Sequence, residues 1–95
     1  MVIVKENFVE DYLVALIEGI GGECLKLEVK GRRGWPDRLC VTQGKMFFVE
    51  CKRPEGGRLS ALQAVRIRRL EELGAPIYVI KNRQQIDELI REISQ

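Results

Sequence analysis

A tight turn in the middle of the chain, Gln43-Gly44-Lys45, sets the first requirement on the fold. The segments on either side of it, Asp37 to Thr42 and Met46 to Lys52, are mostly apolar and carry β-branched or aromatic residues. A turn this short joins neighbouring antiparallel strands, because the chain reverses direction within a few residues. We therefore expect a β-hairpin from Asp37 to Lys52.

Two further segments have strand-like patterns. Cys24 to Val29 alternates in polarity, with Leu25, Leu27 and Val29 on its apolar side, and this predicts a half-buried strand. Ile77 to Ile80 is wholly apolar, which predicts a short strand buried on both faces. Four strands are therefore expected in total.

Three helices are predicted from apolar residues at helical spacing. The first ends at the glycines of positions 19–22, the second begins at Ser60, and the third begins near Arg83 with Asn82 as its cap. Ser60 and Gln63 fit a capping box. The order of elements is αβββαβα. The apolar stripes are Val9, Leu13, Leu16 and Ile20; Leu62, Val65 and Leu70; and Ile86, Leu89, Ile90 and Ile93.

The composition limits the classes of protein that the sequence fits. With 95 residues, 45% of them hydrophobic and 32% charged, we expect one globular domain over residues 1–95. No apolar run approaches the roughly 20 residues of a membrane span, and no signal peptide is predicted. The three cysteines are odd in number and widely spaced, so we expect reduced thiols in a cytoplasmic protein.

The chain contains no histidine, and this restricts the chemistry that it can perform. Histidine-based triads, histidine-ligated zinc and an imidazole general base are excluded. Catalysis by this chain must use carboxylates, lysine and backbone groups, with or without a hard metal ion.

The net charge of +2 hides an asymmetry along the chain. Residues 26–69 hold twelve basic and four acidic residues, whereas the flanking segments hold four basic and ten acidic residues. A basic middle of net charge +8 is typical of a surface that binds a polyanion. The alternative is a solvated surface whose charge is merely uneven.

Two carboxylates and a lysine are expected to meet at one edge of the hairpin. Glu50 and Lys52 share a strand face, since alternate residues point the same way, and Cys51 points to the other face. The hairpin can bring Asp37 beside Glu50. Such a cluster is costly in a small core unless a cation offsets the charge, and Mg²⁺ prefers carboxylates, backbone oxygens, water and phosphate as ligands. The E-x-K pattern alone is common, and an ordinary solvent-facing pair is the alternative.

The joint pattern resembles a known nuclease signature. Pro36-Asp37 followed by Glu50-Cys51-Lys52 resembles the PD-(D/E)xK nucleases, and nearly the whole chain resembles the VRR-NUC (virus-type replication-repair nuclease) family. The motifs that carry the resemblance are Gly34-Trp35-Pro36-Asp37-Arg38, Phe48-Val49-Glu50-Cys51-Lys52-Arg53-Pro54, Gly57-Arg58-Leu59-Ser60 and Gln63. Cys51 and Trp35 depart from the usual family pattern, and Trp35 either packs or stacks on a base. The resemblance implies a restriction-endonuclease-like α/β core with a mixed sheet flanked by helices.

The resemblance also implies a role for each site residue. Asp37 and Glu50 would bind Mg²⁺ or Mn²⁺, and the backbone carbonyl of Cys51 would add a ligand. Lys52 would be the catalytic lysine. Gln63 would face the site, although its capping-box role is an alternative.

The family further uses a glutamate from the first helix. Glu6 and Glu10 both qualify because they lie four residues apart on one helical face. The sequence does not decide between them. The alternatives for Glu10 are a capping partner of Asn7, three residues earlier, an exposed helical pair, or a surface acid without a role.

Basic residues flank the predicted site at strand ends and in two loops, Lys30 to Pro36 and Arg53 to Arg58. Such positions can reach phosphates beside the scissile one, so we expect backbone and shape recognition rather than base-specific contacts. Three arginines of the second helix cannot all face DNA, and at least one of Arg66, Arg68 and Arg69 is a bystander. The predicted DNA-binding set is Lys30, Arg32, Arg33, Trp35, Arg38, Arg53 and Arg58.

The resemblance implies a metal-dependent endonuclease that hydrolyses phosphodiester bonds in branched DNA, such as Holliday junctions or flaps, during phage replication and repair. Cutting a symmetric junction needs two active sites, so a homodimer in the bacterial cytoplasm is expected. A non-catalytic nucleic-acid-binding module that uses the basic region 26–69 is the alternative. The residues themselves do not distinguish DNA from RNA.

Overall fold

The computed structural model describes residues 6–53 and 56–95, without the side chains of Glu6 and Asn7. Pro54 and Glu55 of the predicted basic loop lie outside that range. Within it, the elements follow the predicted order αβββαβα. They are α1 (Glu6–Gly19), β1 (Glu23–Lys26), β2 (Arg38–Thr42), β3 (Lys45–Cys51), α2 (Ala61–Glu72), β4 (Ile77–Ile80) and α3 (Arg83–Ile93).

The four strands form one mixed sheet in the order β1-β2-β3-β4. The predicted hairpin is confirmed: β2 and β3 pair antiparallel, with Thr42 opposite Lys45 across the turn. β1 pairs antiparallel with β2, whereas β4 pairs parallel with β3. The parallel pairing follows from the crossover through α2, which returns the chain to the starting end of the sheet.

One face of the sheet packs on α1 and α3 and forms the hydrophobic core. The helices contribute buried side chains at helical spacing, and the strands contribute every second residue, because side chains alternate across a sheet. This core therefore covers the face that carries Cys40, Phe47 and Cys51. Its helical members include Val9, Leu13 and Ile17 of α1 and Ile86, Leu89 and Ile93 of α3.

The opposite face of the sheet is covered less completely, and this corrects two predictions about strands. Leu25 was expected on the buried side of β1, but it is 48% exposed and Cys24 is buried instead. Val79 of β4 is 43% exposed, so this strand is not buried on both faces. β1 also ends at Lys26 rather than at Val29.

The prediction that Leu62 and Val65 of α2 face the core is wrong. Both are exposed, at 41% and 61%, and Leu70 is the buried apolar residue of this helix. Ile20, just beyond α1, is likewise exposed. The reason in α2 is that polar side chains occupy the stripe that faces the sheet and the neighbouring loop, beginning with Gln63.

The predicted helix caps are confirmed. Ser60 and Gln63 form both bonds of a capping box at the start of α2, and the Asn82 side chain accepts a hydrogen bond from the backbone of Gln85 at the start of α3. These bonds satisfy backbone donors that a helix start leaves open. None of the helices in residues 6–53 and 56–95 is long and apolar enough to cross a membrane.

Candidate active site

Asp37 and Glu50 lie side by side at one end of the hairpin. Asp37 immediately precedes β2, after the buried Pro36, and Glu50 is the second-last residue of β3. The Asp37 carboxylate accepts a hydrogen bond from the backbone N–H of Cys51 at 2.9 Å. In return, the backbone N–H of Asp37 donates to Oε1 of Glu50 at 3.1 Å. Two backbone bonds therefore fix both carboxylates to the strand ends.

Glu50 is almost fully buried, with 1% of its surface exposed. Burial raises the pKa of its carboxyl above the ordinary value, the nearby Lys52 opposes that rise, and the charge of Asp37 adds to it. Lys52 lies 2.9 Å from Oε2 of Glu50. A buried carboxylate beside a second carboxylate makes the site favourable for a cation.

Gln63 connects α2 to this cluster. Its Nε2 donates to Oε2 of Glu50 at 2.8 Å, and its Oε1 accepts from Nζ of Lys52 at 2.9 Å. The same Oε1 accepts the backbone N–H of Ser60 at 2.9 Å. The two interpretations of Gln63 are therefore compatible, because one side chain closes the capping box and holds Glu50 and Lys52.

The oxygen atoms of this cluster are suited to a hard divalent cation. A carboxylate has about four lone-pair positions, so hydrogen-bonded oxygens can still accept a metal. Within the described residues, no three His, Cys, Asp or Glu side chains converge on one metal position. Asp37 and Glu50 therefore need further oxygen ligands, and Mg²⁺ commonly completes its shell with backbone oxygens and water.

Cys51 lies on the core side of β3, as the strand alternation predicts. Its side chain is fully buried, and burial raises the pKa of its thiol, with the charge of Asp37 adding to the rise. Because its neutral thiol is packed in the core, Cys51 contributes only backbone atoms to the site.

The structure pairs Glu10 of α1 with Arg38 of β2. Nε and Nη2 of Arg38 both lie 2.7 Å from the same Glu10 oxygen, and the two side chains are each 15% exposed. Arg38 also donates to the carbonyl of Cys24. Arg38 therefore binds α1 and β1. Glu6, the other candidate, begins α1, but its side chain lies outside the described part.

The remaining predicted DNA-binding residues lie around the site. Lys30, Arg32, Arg33, Arg53 and Arg58 are exposed, while Trp35 is partly buried between its neighbours. The guanidiniums of Arg32 and Arg66 lie over its ring, at 5.6 Å and 5.4 Å from the centroid. Arg66 was not in the predicted set. Its spacing of three residues from Gln63 is the sequence signal that places it on the same side of α2.

Glycine 57 allows the second basic loop to close over the end of β3. A Cβ atom at this position would lie 2.7 Å from backbone atoms of Arg53 and 3.1 Å from the side chain of Lys52. Only a residue without a side chain fits such a close approach. The loop that carries Arg53 and Arg58 is thereby held next to Lys52.

Comparison with known proteins found a similar protein by sequence and a similar solved structure. The chain is 40% identical over 81 residues to a protein named "Putative nuclease p44" from Acyrthosiphon pisum secondary endosymbiont phage 1, and the match covers 84% of this chain and 86% of the phage protein. A solved structure described as "VRR_NUC domain" superposes with a TM-score of 0.86 at 33% identity, covering 94% of this chain and 97% of that one. No model of a protein family matches the chain.

Proposed function

The chain belongs to the VRR-NUC nuclease family, and from that premise we propose that it is a metal-dependent, structure-specific DNA endonuclease. One observation carries the proposal: Asp37, Glu50, Lys52 and Gln63 form a continuous hydrogen-bonded cluster at the end of the β2–β3 hairpin. The fold is the restriction-endonuclease-like α/β fold of this family. The proposed unit is a single nuclease domain over residues 1–95.

In the proposed site, Asp37 and Glu50 hold Mg²⁺ or Mn²⁺, and the backbone carbonyl of Cys51 supplies a further ligand. When bound, such a cation supplies charge neutralisation at the phosphate and lowers the pKa of water. Burial of Glu50 disfavours its charged form, so a cation binding there would stabilise the carboxylate. Glu10 or Glu6 from α1 is the further proposed acidic residue of the site.

Lys52 is the proposed catalytic lysine. Its ammonium group is held between Glu50 and Gln63, so its position is fixed before substrate arrives. A fixed positive group can orient the attacking water and stabilise negative charge that develops on the phosphate. Gln63 orients Lys52 and Glu50 through its two polar atoms and touches no reacting atom itself.

The proposed substrate is branched DNA, either a Holliday junction or a flap, cut in the host cytoplasm during phage replication and repair. The exposed basic residues of the two loops surround the site and can contact flanking phosphates. Recognition through phosphates and shape suits a substrate defined by its branching rather than by its sequence.

We further propose that the enzyme acts as a homodimer, because the symmetric cutting of a junction requires two active sites. The candidate contact is the incompletely covered side of the molecule, where Leu62, Val65, Leu73 and Val79 are exposed. Sizing chromatography should give twice the chain mass of 10.9 kDa. Val65→Glu should shift the protein to monomer, while a wild type that is monomeric at micromolar concentration contradicts the dimer.

The test of the nuclease proposal is a cleavage assay with labelled four-way junction, flap, plain duplex and RNA substrates. Each substrate is incubated with Mg²⁺, Mn²⁺ or EDTA and with wild type, Lys52→Ala or Arg91→Ala. Arg91 is an exposed residue of α3, on the other side of the sheet, and serves as the charge-matched control. We expect metal-dependent cutting of branched DNA that Lys52→Ala reduces by about a hundredfold or more and Arg91→Ala leaves unchanged.

The alternative is a non-catalytic nucleic-acid-binding module, which the net charge of +8 over residues 26–69 would serve equally well. Such a module binds DNA in EDTA and cuts nothing. Asp37→Ala would then tighten binding because it removes a negative charge. Binding without cutting, identical in wild type and Lys52→Ala, would therefore replace the nuclease proposal with this one.

A further inference from the structure

Trp35 is the sole tryptophan of the chain and lies two residues before Asp37. The guanidiniums of Arg32 and Arg66 lie over its ring at 5.6 Å and 5.4 Å from the centroid. A guanidinium within about 6 Å of an indole centroid is attracted by the negative face of the ring. The indole therefore holds two arginines that come from different parts of the chain.

Arg66 is fixed from a second direction. Its Nε donates to the backbone carbonyl of Arg33 at 3.1 Å, so the α2 helix is attached to the basic loop that leads to Asp37. Residues three apart on a helix lie on one side, about 4.5 Å apart along the axis. Arg66 therefore lies one turn beyond Gln63, which itself contacts Glu50 and Lys52.

Neither arginine forms an ion pair within residues 6–53 and 56–95. The ion pairs there are Arg38 with Glu10, Lys52 with Glu50, and Arg69 with Glu72. A guanidinium without an acidic partner can bind an anion, and a phosphodiester matches its planar donors.

Trp35 itself is held by its ring rather than by its polar atom. Its Nε1 is buried and makes no hydrogen bond within the described residues. Base stacking was one expectation for this residue, but two guanidiniums already lie over its ring. The structure favours a platform for arginines over a platform for bases.

We propose that Arg32 and Arg66, held over the ring of Trp35, bind backbone phosphates next to the phosphodiester that is cut. The proposal rests on the nuclease function above and adds Arg66 to its nucleic-acid contacts. Trp35 is a positioning residue in this arrangement. It acts through the two arginines and makes no direct contact with the DNA bases.

The test is a salt titration of DNA binding in EDTA, where no cutting occurs. Fluorescence anisotropy of a labelled duplex and a labelled junction gives the dissociation constant between about 0.05 and 0.3 M KCl. Each phosphate contact contributes about 0.9 to the slope of log K against log salt. Arg66→Gln should lower the slope by about 0.9 and weaken binding about eightfold at about 0.1 M salt. A slope difference of about 0.9 gives about eightfold over one decade of salt, counted from about 1 M, where the two proteins are taken to bind equally.

Arg68→Gln is the matched control. Arg68 is exposed and lies two residues from Arg66, about 200° around the same helix. Arg68→Gln removes the same charge as Arg66→Gln, and we expect the slope of log K against log salt to stay at the wild-type value. Trp35→Leu should lower the slope because both arginines lose their platform, whereas Trp35→Phe keeps an aromatic face and should restore most of it. Circular dichroism melts verify that each variant is folded.

Two different failures can be told apart. A wild type that cuts DNA while Arg66→Gln and Trp35→Leu, both folded, keep the wild-type slope overturns this inference alone. A wild type that neither binds nor cuts any of the substrates overturns the nuclease proposal as well. An equal loss of slope in Arg68→Gln and Arg66→Gln would mean general charge attraction rather than a site, and this also overturns the inference.

Discussion

The side chain of Gln63 gives the sharpest test of how this site is built, because it joins a helix cap to Glu50 and Lys52. Its Oε1 accepts from Ser60 and Lys52, and its Nε2 donates to Glu50. Gln63→Ala removes all three hydrogen bonds. Ser60→Ala removes only the hydrogen bond that the backbone N–H of Gln63 donates to the Ser60 hydroxyl oxygen. Comparing the two variants separates the cap from the site.

The expected magnitudes differ by a measurable amount. Loss of an N-cap side chain costs about 1 kcal/mol, so Ser60→Ala should lower the free energy of unfolding by about that much. Gln63→Ala keeps that cap bond but removes the bond from the backbone N–H of Ser60, which contributes about 1 kcal/mol. It also removes the bonds to Glu50 and Lys52, and a hydrogen bond to a charged group contributes about 1.5–3 kcal/mol. At the lower end of that range the sum for Gln63→Ala is about 4 kcal/mol, or a fall in Tm of roughly 16–32 °C at about 4–8 °C per kcal/mol.

Urea denaturation followed by circular dichroism measures both free energies of unfolding, with equal m-values as the condition for comparing them. Cleavage is then measured at a temperature at which each variant is folded. Ser60→Ala should keep the wild-type rate, whereas Gln63→Ala should be slower because Lys52 loses one of its two partners. Equal destabilisation of the two variants, within about 0.5 kcal/mol, would refute the structural role of Gln63 in the site.

Three further predictions concern the surroundings of the site. Gly34→Ala should destabilise the protein by about 2–3 kcal/mol in urea denaturation. The reason is that Gly34 has a φ of 86° and a Cβ there would lie 2.7 Å from the side chain of Leu62. Gly44→Ala is the control and should cost only about 1 kcal/mol, because Gly44 has a φ of 74° but open space around it. Glu10→Gln should cost about 2 kcal/mol because it removes the ion pair with Arg38. If Glu6 is the further acidic residue of the site, cutting by the folded variant should fall far less than in Lys52→Ala, whereas a comparable fall would assign that role to Glu10. The three cysteines should react with a disulfide reagent at pH values up to about 8 only after unfolding, because all three are buried. The hydrogen bond to Cys24 raises the pKa of the Cys40 thiol, and burial raises that of Cys51. The hydrogen bond from Cys40 lowers the pKa of the Cys24 thiol, so burial alone protects Cys24, and fast labelling of a native thiol would contradict the prediction.

The elements that were predicted correctly are those fixed by local sequence. The turn at Gly44 specifies the hairpin, because a reversal within a few residues leaves the two strands one pairing direction. Ser60 and Asn82 specify helix starts, because a cap bonds to a backbone donor only three residues away. Such signals need no information about the rest of the chain, so the order of elements could be read from the sequence.

The burial of individual apolar residues could not be predicted in the same way. A polarity pattern defines two sides of a strand or helix, but it does not show which side meets another element. Leu25 and Val65 lie on apolar stripes, and both are exposed because the helices that form the core lie on the other face of the sheet. Glu50 and Lys52 project toward the face that α2 covers in part. Gln63 of α2 covers Glu50 there, whereas Leu62 and Val65 of the same helix stay exposed.

The site residues likewise divide into those placed by local sequence and those placed by contacts between distant elements. Asp37, Glu50 and Lys52 could be placed together because the hairpin alone determines their proximity. Helical spacing places Arg66 on the same side of α2 as Gln63, but it does not show that Arg66 contacts the loop before Asp37. That contact uses a backbone carbonyl and an indole ring rather than a sequence motif. Glu10 shows the converse: helical spacing places it on one side of α1, yet Arg38, a residue of the central strands, determines where its carboxylate lies. Contacts between elements far apart in the sequence therefore determine the partner of each charged residue. Arg38 pairs with Glu10 and stabilises the fold, whereas Arg32 and Arg66 lie over Trp35 and form no ion pair within the described residues.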